Sequence, residues 1–200
     1  MKVDVIRHYD LLIEENNDPV FDTPNLKAYM DKYDGEKLKE VLFPLDGKSV
    51  LEIGVGTGRL AQIYAPLCGN FTGVDVSPKT AARAKENLKD LSVDIICADF
   101  LEYDFEKTFD IVYSSLTFMH IKNKRKAISK ISSVLNNSGK FVLSITKSQD
   151  KILDYGTRKL ELFPDKKEKF FEYLKDAKMS LNSVFETELA YILVATKENK

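Results

Sequence analysis

Short apolar runs alternate with stretches of helical spacing through the middle of this chain. Strand patterns fall at Ser49 to Ile53, Phe71 to Asp75, Asp94 to Cys97, Asp110 to Ser114 and Lys140 to Thr146. Every run but the last is followed by a segment suited to a helix. Gly58 to Leu67 puts Leu60, Ile63, Tyr64 and Leu67 on one face. Pro78 to Leu91 opens with Ser77 as a cap and proline at the first helical position. Lys124 to Leu135 spaces Ala127, Ile128, Ile131, Val134 and Leu135 as one stripe, and Asn136 to Gly139 then reads as a turn. Strands alternating with helices predict βαβ units, a parallel sheet and right-handed crossovers. The tail departs from that rule. Pro164 to Lys178 reads as a helix, but Leu181 to Glu188 and Ala190 to Thr196 are consecutive strands with no room for a helix between them. Such a pair is antiparallel. The first 48 residues carry no strand pattern. Leu26, Tyr29, Met30 and Tyr33, then Leu38, Val41 and Leu42, predict helices there.

Composition narrows the class. The 200 residues suit one domain, with 44% hydrophobic and 30% charged positions as in soluble globular chains. A net charge of −1 gives no electrostatic reason to expect nucleic acid or an anionic membrane as a partner. The run Lys122 to Lys126 is a local exception, read as a solvated helix start or a weak anionic contact. Cys68 and Cys97 lie in or beside apolar runs, which predicts reduced, buried thiols and no structural zinc. No apolar run reaches the roughly 18 residues of a membrane span, and the expected location is the cytoplasm. Monomer and homodimer are both open.

Chemistry concentrates between Val50 and Leu60. An apolar strand bearing one carboxylate, Glu52, runs into Gly54, Gly56 and Gly58, with Val55 and Thr57 between them. In open parallel sheets ligands sit outside the carboxyl ends of the strands, where strand order reverses. Asp75 ends the second strand and can accept both hydroxyls of a ribose. Asp99 follows the third, placed to accept from an adenine amino group, with Val76 and Phe100 offering apolar faces to the ring. A dinucleotide loop, G-x-G-x-x-G, requires glycine at position 59, where this chain has Arg59. Glu52 also sets a negative charge before the loop, which suits an ammonium better than a pyrophosphate.

These residues resemble the class I S-adenosylmethionine-dependent methyltransferases. Glu52 to Gly58 looks like their E/D-x-G-x-G-x-G loop. Asp75 matches the ribose acid, Asp99 and Phe100 the adenine segment, and Phe109 to Ser115 the fourth-strand motif. Leu135 to Phe141 is similar to the turn into the fifth strand. The resemblance implies a Rossmann-like, doubly wound α/β fold. Its seven-stranded sheet is mostly parallel with an antiparallel C-terminal hairpin, and helices cover both faces. It implies one domain over residues 1–200. Residues 1–44 form a helical lid or substrate segment, 45–146 the cofactor core, and 147–200 a variable segment plus the hairpin. It assigns Glu52 to the cofactor's ammonium, Gly54, Gly56 and Gly58 to backbone approach, and Ser114 and Ser115 to the wall beside the sulfonium. The product is S-adenosylhomocysteine.

The acceptor is less legible. Neutral charge and short insertions favour a small molecule over nucleic acid. His120, after the fourth strand, is the candidate base; a histidine that merely orders its loop is the competing reading. Tyr9 and Tyr29 are candidates to reach the cofactor's carboxylate from a lid, or aromatics packed on helices. Tyr155 and Arg158 are candidates to meet the acceptor. A nicotinamide-dependent oxidoreductase and a non-catalytic S-adenosylmethionine-binding module stand as alternatives.

Overall fold

Successive residues of the central strands enter opposite cores, and this alternation builds the molecule in three layers. The computed structural model describes residues 1–199. In chain order the elements are β1 (Lys2–Val3), α1 (Val5–Glu14), α2 (Pro24–Asp31), α3 (Gly35–Leu42), β2 (Ser49–Ile53), α4 (Ala61–Tyr64), β3 (Asn70–Asp75), α5 (Pro78–Asn87) and β4 (Val93–Cys97). They continue with β5 (Phe109–Ser115), α6 (Lys124–Val134), β6 (Leu135–Thr146), β7 (Ile152–Asp154), β8 (Lys159–Glu161), α7 (Lys167–Asp176), β9 (Met179–Glu186) and β10 (Ala190–Lys197). Leu51 and Ile53 of β2, with Phe141 and Leu143 of β6, pack on Ile128 and Ile131 of α6 and Phe170 of α7. Val50 and Val142 point the other way, to Leu38 and Leu42 of α3, Tyr64 of α4 and Ala84 of α5.

The main sheet has seven strands in the order β4-β3-β2-β5-β6-β10-β9. Strands β2 to β6 are parallel, and β10 runs antiparallel to both β6 and β9. The order reverses between β2 and β5, so a crevice opens beyond their carboxyl ends. The expected doubly wound sheet and its C-terminal hairpin are therefore present.

Local corrections have physical causes. The helix expected over Gly58 to Leu67 shrinks to α4 and a 3-10 turn, Ala65–Leu67, that contains Pro66. Its buried face is Leu60, Ala61, Tyr64 and Ala65, while Ile63 and Leu67 are exposed. The turn expected at Asn136 to Gly139 is an excursion inside β6: Phe109 pairs with Leu135, but Ile111 pairs with Lys140. Helix α2 buries none of its residues, and Leu26 and Tyr29 are exposed. Cys97, on the edge strand β4, is exposed rather than buried. In the lysine run, Lys124 is buried and donates to the carbonyls of Ile121 and Phe163.

A second, three-stranded sheet lay outside the expectation. Its order is β1-β8-β7, with β1 parallel to β8 and β7 antiparallel to β8. It joins the N-terminus to the segment after β6. Among the described residues no helix is long and apolar enough to cross a membrane.

Candidate functional site

A cavity of about 410 Å³ lies at the reversal point. Its floor comes from the ends of β2, β3, β4 and β5, and its roof from α1 and the start of the chain. Among its lining residues are Glu52, Gly54, Val55, Gly56, Thr57, Asp75, Val76, Asp99, Phe100, Ser115, His120 and Tyr9. The sequence singled out all twelve.

The three glycines divide their work. All have positive φ, at 76°, 58° and 99° for Gly54, Gly56 and Gly58. A Cβ on Gly54 would meet Thr117 Oγ1 at 2.1 Å, so this glycine admits the loop after β5. A Cβ on Gly58 would touch the Leu88 side chain, and Gly58 does not line the cavity. Only at Gly56 would a Cβ meet nothing within 4 Å. Gly56 alone of the three leaves open space beside its backbone, while Gly54 and Gly58 make room for neighbouring side chains.

Asp75 secures that loop. Its Oδ2 accepts from the Gly56 N–H at 3.0 Å and its Oδ1 from the Ser77 N–H at 2.9 Å. Burial raises its pKa, and these backbone donors oppose the rise. Asp99 Oδ1 accepts from the Leu101 N–H at 2.8 Å. Glu52 is 3% exposed, on the same sheet face as Tyr113. Burial pushes its pKa up to about 8 against the pull of the Tyr113 hydroxyl and the Arg59 guanidinium. Glu52 Oε2 has no hydrogen-bond partner among the described residues.

Arg59 and Asp34 form a latch that was not foreseen. The Arg59 guanidinium lies 2.6 Å from Asp34 Oδ2, and the Ser115 hydroxyl donates to the same oxygen at 2.8 Å. Asp34 also accepts from the Gly35 N–H and caps α3. The Asp-Gly pair before a helical stretch was the available signal, but it reads as an ordinary cap. Ser114, expected beside the sulfonium, does not line the cavity. Its hydroxyl donates to the Ile53 carbonyl at 2.8 Å, and it is fully buried. Strand alternation turns Ser114 into the sheet while Ser115 faces the site.

At the β5 end, the Tyr9 hydroxyl sits 2.9 Å from His120 Nε2. His120 Nδ1 is buried without a partner among the described residues. Burial lowers the His120 pKa to about 4, helped by the charges of His8 and Lys124, and raises that of Tyr9. Leu116, in the same loop, holds φ at 56°, a strained conformation for a leucine. Tyr29 reaches Tyr33 instead of the cavity. Tyr155 and Arg158 also lie outside it. Arg158 is 3% exposed, donates Nε–H to His8 Nδ1 at 3.1 Å and pairs with Glu15 at 2.6 Å. They hold α1 in place rather than line the site.

Comparison with known proteins decides the family. A family profile described as a methyltransferase domain matches residues 51–143. An uncharacterised methyltransferase from Alkaliphilus oremlandii is 30% identical over 75% of this chain and 70% of its own length. The chain belongs to the class I S-adenosylmethionine-dependent methyltransferases. A malonyl-[acyl-carrier protein] O-methyltransferase from Anoxybacillus flavithermus is 29% identical over 54% of this methyltransferase, but the match spans only 41% of that relative. The magnesium protoporphyrin IX methyltransferase from Synechocystis PCC 6803, solved with S-adenosylmethionine bound, shares the fold. Its TM-score is 0.78 at 15% identity, over 97% of this chain and 95% of that one.

Proposed function

We propose that the cavity holds S-adenosylmethionine across the ends of β2, β3 and β4, and that the methyl group goes to a small molecule seated against the end of β5. The observation that carries this reading is the order of groups along one cavity wall: the open space at Gly56, then Asp75, then Asp99 with Phe100. The residues fit the cofactor. Asp75 keeps acceptor capacity for ribose hydroxyls beyond its two backbone donors. Val76 and Phe100 flank the place of the adenine. Glu52, with a buried, unpartnered oxygen, suits the ammonium. Residues 45–146 would then be the cofactor core, and the segments on either side would shape the acceptor pocket.

When bound, S-adenosylmethionine supplies an electrophilic methyl group on a sulfonium. The rest falls to the protein: exclude water, and fix the acceptor in line. Helix α1 closes the roof through Tyr9, while Asp10 accepts from the Ser77 hydroxyl at 2.7 Å and ties that roof to the start of α5. The size of the cavity favours a small acceptor. So does the near-neutral charge. The Synechocystis enzyme of the same fold acts on a small molecule, magnesium protoporphyrin IX.

Isothermal titration with S-adenosylhomocysteine tests the reading. Wild type is expected to bind, and Asp75→Ala to lose about 30-fold or more, roughly 2 kcal/mol as for hydrogen bonds to a charged group. Equal affinities in the two proteins would remove Asp75 from the site and the reading with it.

A further inference from the structure

The acceptor end of the cavity has an unusual inventory of ionisable groups. Seven ionisable side chains line the cavity: Tyr9, Glu52, Arg59, Asp75, Asp99, His120 and Lys122. On the cofactor reading above, on which this inference rests, Glu52 and Arg59 stand at the methionine end and Asp75 and Asp99 along the nucleoside. That leaves Tyr9, His120 and Lys122 for the rest of the cavity, whose apolar lining includes Val5, Met30 and Ile121. No carboxylate is among them.

The Tyr9–His120 pair always has one hydrogen to give. If the Tyr9 hydroxyl donates to Nε2, the neutral ring carries its proton on Nδ1, and that N–H is free. If Nε2–H donates to the tyrosine oxygen, the Tyr9 O–H is free instead. His120 Nδ1 is buried and unpartnered among the described residues, so nothing in the chain competes for that corner. Lys122 is exposed at the rim and makes no ion pair among the described residues. Glu161, which feels its charge, is already paired with Lys2 at 2.8 Å. A spare donor inside and a spare ammonium at the mouth make a receptor for an anion, the acids nearest them being Asp75 toward Tyr9 and the already paired Glu161 toward Lys122.

We infer that the acceptor is a carboxylic acid, methylated on its carboxylate oxygen, with Tyr9–His120 and Lys122 holding the anion. The step balances without a base. A lone pair of one carboxylate oxygen forms the new C–O bond to the methyl carbon. The C–S bonding pair stays with sulfur, which becomes a neutral thioether. One positive and one negative charge cancel, the product is a methyl ester, and no proton is released. An alcohol acceptor must lose a proton, and this end of the cavity offers only a neutral, poorly basic imidazole to take it. A phosphate would bring up to two charges against one ammonium. Under this scheme His120 is a positioning residue: its pair binds the oxygen that does not attack.

The test uses the full chain saturated with S-adenosylhomocysteine. Benzoate and octanoate are titrated against benzamide and octanamide, following the histidine 15N resonances and the heat of binding. The inference expects each carboxylate to bind about tenfold or more tightly than its amide and to shift the His120 signals. That preference should shrink to about threefold or less in Lys122→Ala, whose site is exposed and safe for folding. It should be lost in His120→Phe and partly restored in His120→Asn, which keeps a donor. Carboxylates no better than amides, or a preference untouched by both Lys122→Ala and His120→Phe, overturn the inference. Failure of S-adenosylhomocysteine itself to bind overturns the cofactor reading, and is seen before any carboxylate is added.

Discussion

Glu52 shows how far one residue can be read from sequence. Its place before the glycine loop was legible, because a lone acid in an apolar strand stands out. Its state was not, because burial beside Tyr113 depends on which face of β2 it takes. In the folded protein its pKa is raised to about 8. The proton is therefore held up to that pH, while the unfolded chain gives it up near the ordinary carboxylate value. The contribution of Glu52 to stability is full below about 4.5 and is lost as pH rises through about 8. An ammonium brought against it favours the charged form. Binding of S-adenosylhomocysteine at pH 7 is thus expected to release a proton from Glu52. Titration in buffers of different ionisation enthalpy measures it, and Glu52→Gln should abolish the release. An enthalpy independent of buffer would contradict this. The glycines separate in the same way. Gly54→Ala forces a Cβ against Thr117 at positive φ and should cost about 2–4 kcal/mol of stability by urea melting. Gly56→Ala meets open space, so its stability loss should be only about 1–2 kcal/mol, from positive φ alone. Its main effect should be on S-adenosylhomocysteine affinity, lowered about tenfold or more.

At the scale of elements, the strands were the most legible part. Their apolar runs are dictated by burial on both faces, so β2, β3 and β5 fall within a residue or two of expectation. What escaped was short and held by distant polar partners. Strand β1 has two residues and pairs with β8, far along the chain, so no local periodicity announces it. Helix α1 is fastened to the body by the Arg158–His8 and Arg158–Glu15 contacts and by Asp10 on the start of α5. Arg158 and Tyr155 looked like acceptor residues because they lie in a variable segment; their partners are on α1, which sequence distance concealed. Arg158→Ala leaves the buried His8 unpaired and should loosen α1, at a cost of about 1–3 kcal/mol. Hydrogen exchange is expected to show faster exchange over residues 5–14 with the main sheet unchanged. Unaltered protection of α1 would show that packing, not this cluster, holds the roof.

Over the whole molecule, sheet order does what no single motif can. The reversal between β2 and β5 brings the glycine loop, Asp75, Asp99 and His120 to one crevice, although they are spread across more than 60 residues of sequence. The parallel core made this placement readable in advance, since each strand end points the same way. The Arg59–Asp34–Ser115 latch was not readable, because it needs α3 to fold back over that crevice. We propose that one continuous wall, from Gly56 through Asp75 to Asp99, carries the cofactor. A crystal structure of the complex with S-adenosylhomocysteine tests it most directly. Ribose hydroxyls are expected within hydrogen-bonding distance of Asp75, and adenine between Val76 and Phe100 with its amino group on Asp99. A nucleoside bound elsewhere, or one whose ribose makes no contact with Asp75, would contradict it.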